Sequence, residues 1–134
     1  MKKGYGLSVR GIAKKNEKIL VLKRHPKSKT FPNQWEFPGG KAEHNEYFDE
    51  TLKREFKEET NLKVEPCKFY EAIEDEQAKI ITIQIYMYVN ILEDDEVKIS
   101  DEHIDYAWKN INELKTMDLS HTTLNVLKKK NWKI

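Results

Sequence analysis

The chain has 134 residues, and its 24 Lys and Arg offset 23 Asp and Glu to leave a formal charge of +1. That length predicts one domain, 1–134, and the near-zero balance excludes a protein that coats nucleic acid by charge or carries an acidic tail. Hydrophobic residues make up 38% and charged ones 35%, interspersed rather than blocked, which predicts a folded core and excludes wholesale disorder. Cys67 is the single cysteine, so there is neither an intramolecular disulfide nor a cysteine-cluster metal site, and a cytoplasmic setting is expected. No signal-type segment and no run of about 18 apolar residues occurs, so neither export nor membrane association is expected.

Residues 5–14 and 17–24 are β-rich runs separated by Lys15 and Asn16, which predicts a hairpin. Ile19 to Leu22 is apolar on both faces, as a fully buried strand requires. From His25 to Lys41 the pattern breaks at Pro26, Pro32, Pro38, Gly39 and Gly40, predicting a long loop that carries Phe31, Trp35 and Phe37. Residues 47–60 lack Gly and Pro and space Phe48, Leu52 and Phe56 at i, i+4, the stripe of an amphipathic helix. Lys63 to Glu74 reads as strand or loop, and Lys79 to Ile91 as a strong strand. In the latter, Ile81, Ile83, Ile85, Met87 and Val89 alternate with Thr82, Gln84, Tyr86, Tyr88 and Asn90, predicting one core face and one polar, aromatic face. Glu93 to Asp101 reads as an acidic turn, Ile104 to Lys109 as a short strand, and Ser120 to Lys130 as a terminal helix capped by Ser120. Strands and helices mixed in one domain predict a layered α/β fold.

Within the first helix Glu55, Glu58 and Glu59 stand at i, i+3 and i+4, so their carboxylates project from one side of one turn. Like charges so placed repel and invite a cation, and hard oxygen ligands suit Mg²⁺ or Mn²⁺ rather than zinc. Taken alone, a solvated face with Lys53, Arg54 and Lys57 interleaved is the more ordinary reading. The wider spacing shifts the balance. Gly40, five residues, Glu46, seven residues, then Arg54-Glu55-Phe56-Lys57-Glu58-Glu59-Thr60-Asn61-Leu62 resembles the signature of the Nudix hydrolases. The preceding Trp35-Glu36-Phe37-Pro38-Gly39 looks like the MutT-type entry to it. The one departure is Asn61, where the family has glycine. It follows the helix end, where a left-handed conformation is wanted and Asn is the next-best occupant.

The resemblance implies a Nudix-type α/β/α sandwich with a mixed β-sheet, in which the motif forms a loop, helix and loop that bind divalent metal against a diphosphate. The chemistry it implies is attack of water at phosphorus in a nucleoside diphosphate linked to another group. Carried over by position, the metal site comprises Gly40, Glu46, Glu55, Glu58 and Glu59. Glu55 is also a candidate to activate water, Glu46 has a supporting role, and Arg54 orients the glutamates. The carbonyl of Gly39 or Gly40 is a further candidate ligand.

Asp101 to Trp108 resembles the segment in which a family glutamate reaches the metal site, so Glu102 is a candidate ligand or base, against the reading as an exposed acidic turn. Lys23 and Arg24 are candidates to meet phosphate, and Phe31 and Trp35 to stack on a base, with a solvated strand end and core packing as the alternatives. His25, His44, His103 and His121 lack zinc-site spacing and read as surface residues. The expected reaction is Mg-dependent cleavage of a (d)NTP, oxidised nucleotides such as 8-oxo-dGTP included, to the monophosphate and pyrophosphate. ADP-ribose, nucleotide sugars and dinucleoside polyphosphates are alternative substrates. A non-catalytic nucleotide sensor is the alternative class, disfavoured because all four motif glutamates are present. The expected partner is thus a small-molecule nucleotide rather than nucleic acid, bound by a monomer or homodimer.

Overall fold

A computed structural model describes residues 2–93 and 95–134. Strands β1 (Gly4–Lys15) and β2 (Lys18–Arg24) form the predicted hairpin, turning through Asn16 and Glu17 at φ 54° and 64°. They stay paired only beside the turn, Lys14 with Ile19 and Lys15 with Lys18, and then part. Beyond the split, β1 runs parallel to β6 (Ile80–Ile91), whose other edge takes β5 (Val64–Glu76) antiparallel. β2 instead pairs antiparallel with β7 (His103–Lys109).

The segment expected to be a loop fills the gap. Its β3 (Trp35–Glu36) adds to β2 and its β4 (Gly39–Lys41) adds to β1, while the Gly11 N–H donates to the Pro38 carbonyl at 2.8 Å. Diverging strands expose backbone donors and acceptors that must be paired, and the incoming chain pairs them from both sides. The local Pro and Gly content hid these two short strands, because the partner that makes them strands lies far away in sequence.

Strand alternation then gives the sheet two apolar faces. On one, Val9, Leu20, Leu22 and Val89 pack with Leu52 and Phe56 of α1 (Phe48–Thr60). On the other, Ile12, Ile19, Val21, Phe37 and Tyr86 pack with Leu114 of α2 (Ile111–Leu114) and with Val126 and Leu127 of α3 (His121–Lys129). The fold is therefore α/β with helices on both sides of a mixed sheet. The polar, aromatic face of β6 is covered as well as the apolar one, and Tyr86 is fully buried. Phe48, the first residue of the predicted stripe, is 44% exposed in the first turn and joins neither cluster.

The helix ends follow local chemistry. Asn61 closes α1 at φ 69°, with its N–H on the Lys57 carbonyl at 2.9 Å. Ser120 caps α3 as expected, accepting from the Thr123 N–H at 3.4 Å. The short α2 went unpredicted although Asn110 and Glu113 form a capping box around its first turn. Among the described residues no helix is long and apolar enough to cross a membrane.

Candidate active site

The split between β1 and β2 is where β4 delivers the glycine pair to the carboxylates of α1. Gly39 adopts φ 149°, and its N–H donates to Glu59 Oε1 at 3.0 Å. A Cβ at Gly39 would collide with the Val9 carbonyl oxygen and lie 2.6 Å from Arg10 Cα. A Cβ at Gly40 would lie 2.5 Å from Glu55 Oε2. Two glycines thus let the backbone of β4 lie directly against both the sheet and the helix carboxylates.

Arg54 ties the motif together. Its Nε donates to Glu46 Oε2 at 2.8 Å, its Nη2 to Glu46 Oε1 at 3.0 Å, and its Nη1 to Glu55 Oε1 at 2.9 Å and Glu58 Oε2 at 3.5 Å. Glu46 Oε1 also accepts from the Glu43 N–H at 3.0 Å and from Thr51 Oγ1 at 2.7 Å. These hydrogen bonds, Arg54 foremost, hold the Glu46 carboxyl at about 2. Both oxygens of Glu46 are committed to this clamp, the geometry of a residue that positions Arg54 and the loop.

Glu55, Glu59 and Glu102 line a cleft of about 260 Å³ together with Arg10, Arg24 and Lys41. Burial raises the Glu59 carboxyl well above its ordinary value, against the pull of Arg10 and the Gly39 N–H. Burial also raises Glu55, with repulsion from Glu58 and Glu102 adding to it and Arg54 opposing. Glu59, Glu102 and His103 each offer a ligand atom within 4.8 Å of the others. Crowded, partly desolvated carboxyl groups that resist ionisation call for positive charge, and their hard oxygens with the backbone of Gly40 beside them fit Mg²⁺ or Mn²⁺.

Beneath the cleft lies a charge network that sequence reading missed. Glu36, 3% exposed, meets Arg10 Nη1 at 3.3 Å, Arg24 Nη1 at 2.8 Å and His103 Nε2 at 2.9 Å. Burial would raise the Glu36 carboxyl, but Arg10, the His103 hydrogen bond and Arg24 outweigh it and hold it at about 2. Arg10 also donates to the carbonyls of Phe37 at 3.1 Å and Gly39 at 3.5 Å, fixing the chain that enters the motif. His103 is buried, contrary to the expectation of four surface histidines: its Nε2 pairs with Glu36 inside the protein, while its Nδ1 meets no partner among the described residues. The signals were available: Arg10 interrupts an apolar strand, and Glu36 sits inside the Trp35 to Gly39 entry.

The remaining candidates divide. Arg24 reaches the cleft, braced by the Thr30 carbonyl at 2.7 Å and Ser28 Oγ at 2.6 Å. Glu102 is held there by the His25 N–H, which donates to its carbonyl at 3.0 Å. Phe31, at φ 49°, lines an adjoining chamber. Lys23 and Trp35 meet each other instead, with Nζ 6.0 Å from the ring centroid and Trp35 packed against the α3-side core. Glu58 is 58% exposed and connects to the other glutamates through Arg54.

A family model described as the NUDIX domain matches residues 4–129. The nucleoside triphosphatase NudI of Escherichia coli is 33% identical over 125 residues, spanning 86% of this chain and 85% of that protein. An 8-oxo-dGTP diphosphatase of Buchnera aphidicola is 43% identical over 63 residues, 47% of this chain and 48% of that protein. The crystal structure of a MutT protein from Methanosarcina mazei matches with a TM-score of 0.85 and 26% identity, covering 98% of this chain and 96% of the other. Because the family match takes in both the split sheet and the carboxylates gathered at it, the chain belongs to the Nudix hydrolase family.

Proposed function

We propose that the chain acts as a single Nudix domain that hydrolyses a nucleoside triphosphate to the monophosphate and pyrophosphate, with Mg²⁺ or Mn²⁺ as cofactor. The observation that carries this reading is the cleft lined together by Glu55, Glu59 and Glu102 and by Arg10, Arg24 and Lys41. Carboxylates and cations lining one cleft suit a polyphosphate bound together with divalent metal. The names of the NudI and 8-oxo-dGTP diphosphatase relatives support a triphosphate over the alternatives, with 8-oxo-dGTP among the candidates.

Glu55, Glu58 and Glu59 would hold the metal, with the Gly40 carbonyl and Glu102 as further ligands. Bound there, it would neutralise phosphate charge and make water a stronger nucleophile. Glu55 Oε1 is engaged by Arg54, whereas Oε2 lies beside Gly40. Burial already raises this carboxyl, so Oε2 is suited to take the proton from an attacking water. Arg54, fixed by Glu46, holds that carboxyl in place, and Arg24 and Lys41 would neutralise the phosphates that leave.

The test is a Mg²⁺-dependent turnover screen over ordinary and oxidised (d)NTPs, ADP-ribose and diadenosine polyphosphates, with products identified. Monophosphate plus pyrophosphate from a triphosphate is the expected result. Glu58→Gln, at an exposed position, should lower turnover at least about a hundredfold and leave melting unchanged. Release of single phosphates, or full activity in that variant, refutes the assignment.

A further inference from the structure

Next to the carboxylate cleft lies a second chamber of about 290 Å³, which shares Arg10, Arg24 and Lys41 with it as a common wall. Its floor is the side of the sheet that turns away from α1. Ser8 of β1 stands beside Gln84 of β6, and Thr82 of β6 stands opposite Asp75 of β5. Phe31 forms part of the wall, and Gln77 lies next to Asp75 at the β5–β6 turn.

Four buried side-chain polar atoms lack a hydrogen-bond partner among the described residues, those of Gln84, Tyr86, Ser100 and His103, and of these residues only Gln84 lines the chamber. It is 7% exposed, and its Oε1 is buried with no hydrogen-bond partner. A carboxamide oxygen left unpaired costs free energy comparable to a lost hydrogen bond, so a protein retains one where something else completes it. Further along the same face Ile12 and Tyr86 pack as core, whereas Gln84 stands in register with Ser8 and Ile73 at the chamber. The chamber has the size of a small-molecule site and one aromatic wall, and it begins where the cations of the phosphate cleft end.

We propose that this chamber receives the nucleobase and that Gln84 determines which base enters, favouring an edge that carries an exocyclic amine beside a ring nitrogen, as in cytosine or adenine. The inference rests on the nucleotide reading of the adjoining cleft. A carboxamide offers one acceptor and one donor group side by side, whichever way it is turned, and so pairs with an amine and its neighbouring ring nitrogen. Asp75 breaks the symmetry between amino and oxo bases. As a carboxylate it only accepts, so it welcomes a second N–H and repels a carbonyl oxygen. Among the described residues its one side-chain donor is Gln77 Nε2 at 3.3 Å, which leaves carboxylate lone pairs for a ligand.

The experiment compares pairs of nucleotides in which that amine is exchanged for oxygen and the neighbouring ring nitrogen gains a hydrogen: dCTP with dUTP, and dATP with dITP. The kcat/KM values are measured for the wild-type chain, Gln84→Met and Asp75→Asn, and metal-free binding of the same four nucleotides is measured by calorimetry. The amino member of each pair should be preferred at least about tenfold, the effect of one buried hydrogen bond made or left unmade. Gln84→Met should reduce the preference below about threefold while melting no lower than wild type, since it removes a buried orphan oxygen. Asp75→Asn, at a half-buried position near the end of β5, should raise the oxo members. Equal values within each wild-type pair, or a preference untouched by Gln84→Met, overturn the assignment. Turnover without preference would leave the hydrolase reading standing and this one refuted. Preferential binding without turnover would do the reverse.

Discussion

Alanine at two adjacent glycines should separate folding from catalysis. At Gly39 a methyl group meets backbone, the Val9 carbonyl oxygen and Arg10 Cα at 2.6 Å, in a residue whose φ of 149° already disfavours any side chain. Neither obstacle can move without breaking the pairing of β1 with β4. Backbone strain and overpacking cost about 1–3 kcal/mol each, so Gly39→Ala should lose roughly 3 kcal/mol or more and melt roughly 10 °C lower. At Gly40 the backbone lies outside the left-handed region, and the nearest atoms all belong to the flexible end of Glu55, with Oε2 at 2.5 Å and Cγ at 2.9 Å. The carboxylate must swing away, which costs less than about 1 kcal/mol of stability. It also removes Glu55 from the cleft and from Arg54. A displacement of about 1 Å at a reacting group is worth roughly a hundredfold in rate, so Gly40→Ala should melt near wild type and lose at least that factor. Differential scanning fluorimetry and a Mg²⁺-dependent pyrophosphate-release assay read the two effects. A Gly40→Ala variant within about threefold of wild-type rate would show that Glu55 has no part in the chemistry. A Gly39→Ala variant that melts normally would refute the close approach of β4 to β1.

Two further outcomes are expected. Glu36 has its carboxyl lowered from 4.5 to about 2 in the folded chain, so its contribution to stability is full above about pH 4.5 and is lost as pH falls toward 2. The amount is on the order of 3 kcal/mol, and acid titration of chemical unfolding should show Glu36→Gln to be less stable at neutral pH and flatter below pH 4.5; parallel curves would show that the buried network contributes no pH dependence. At Asn61 the side-chain Nδ2 donates to the Glu96 carbonyl at 3.0 Å, in addition to the left-handed φ of 69°. Asn61→Ala should therefore lose about 1–2 kcal/mol and Asn61→Gly less than half of that, and equal losses in denaturant melts would exclude a role for the backbone conformation.

The departure at Asn61 shows what local sequence can convey. Its place after Glu58, Glu59 and Thr60 marks the helix end, and the conformation required there follows from the residue alone. The Phe48 to Thr60 helix, the β6 alternation and the Ser120 cap were legible for the same reason, since each is decided within a few residues. The contents of residues 25–41 were not, because β3 and β4 exist only where β2 and β1 part, a consequence of how β1 chooses β6. The same limit applied to the candidate site. Motif spacing placed Glu55, Glu58 and Glu59 on one helix turn, but no spacing links Arg10, Glu36 and His103, which meet from three separate strands. Lys23 and Arg24 look equivalent in sequence. Strand alternation sends Arg24 to the cleft and Lys23 to Trp35.

The parallel pairing of β1 with β6 also governs how the chain reaches its native state. Ten consecutive registers join Gly4 through Ala13 to Ile80 through Val89, so the central ladder closes a loop that contains β2, β3, β4, α1 and β5. Closing so long a loop costs configurational entropy before any of its contacts form, which places the chain among slower-folding α/β topologies. During synthesis β1 leaves the ribosome long before its partner does. Until β6 follows, the buried face carrying Val9 and Ala13 is shielded by β2, α1 and the start of β5 without Val89, and that interval is when the chain is most exposed to aggregation.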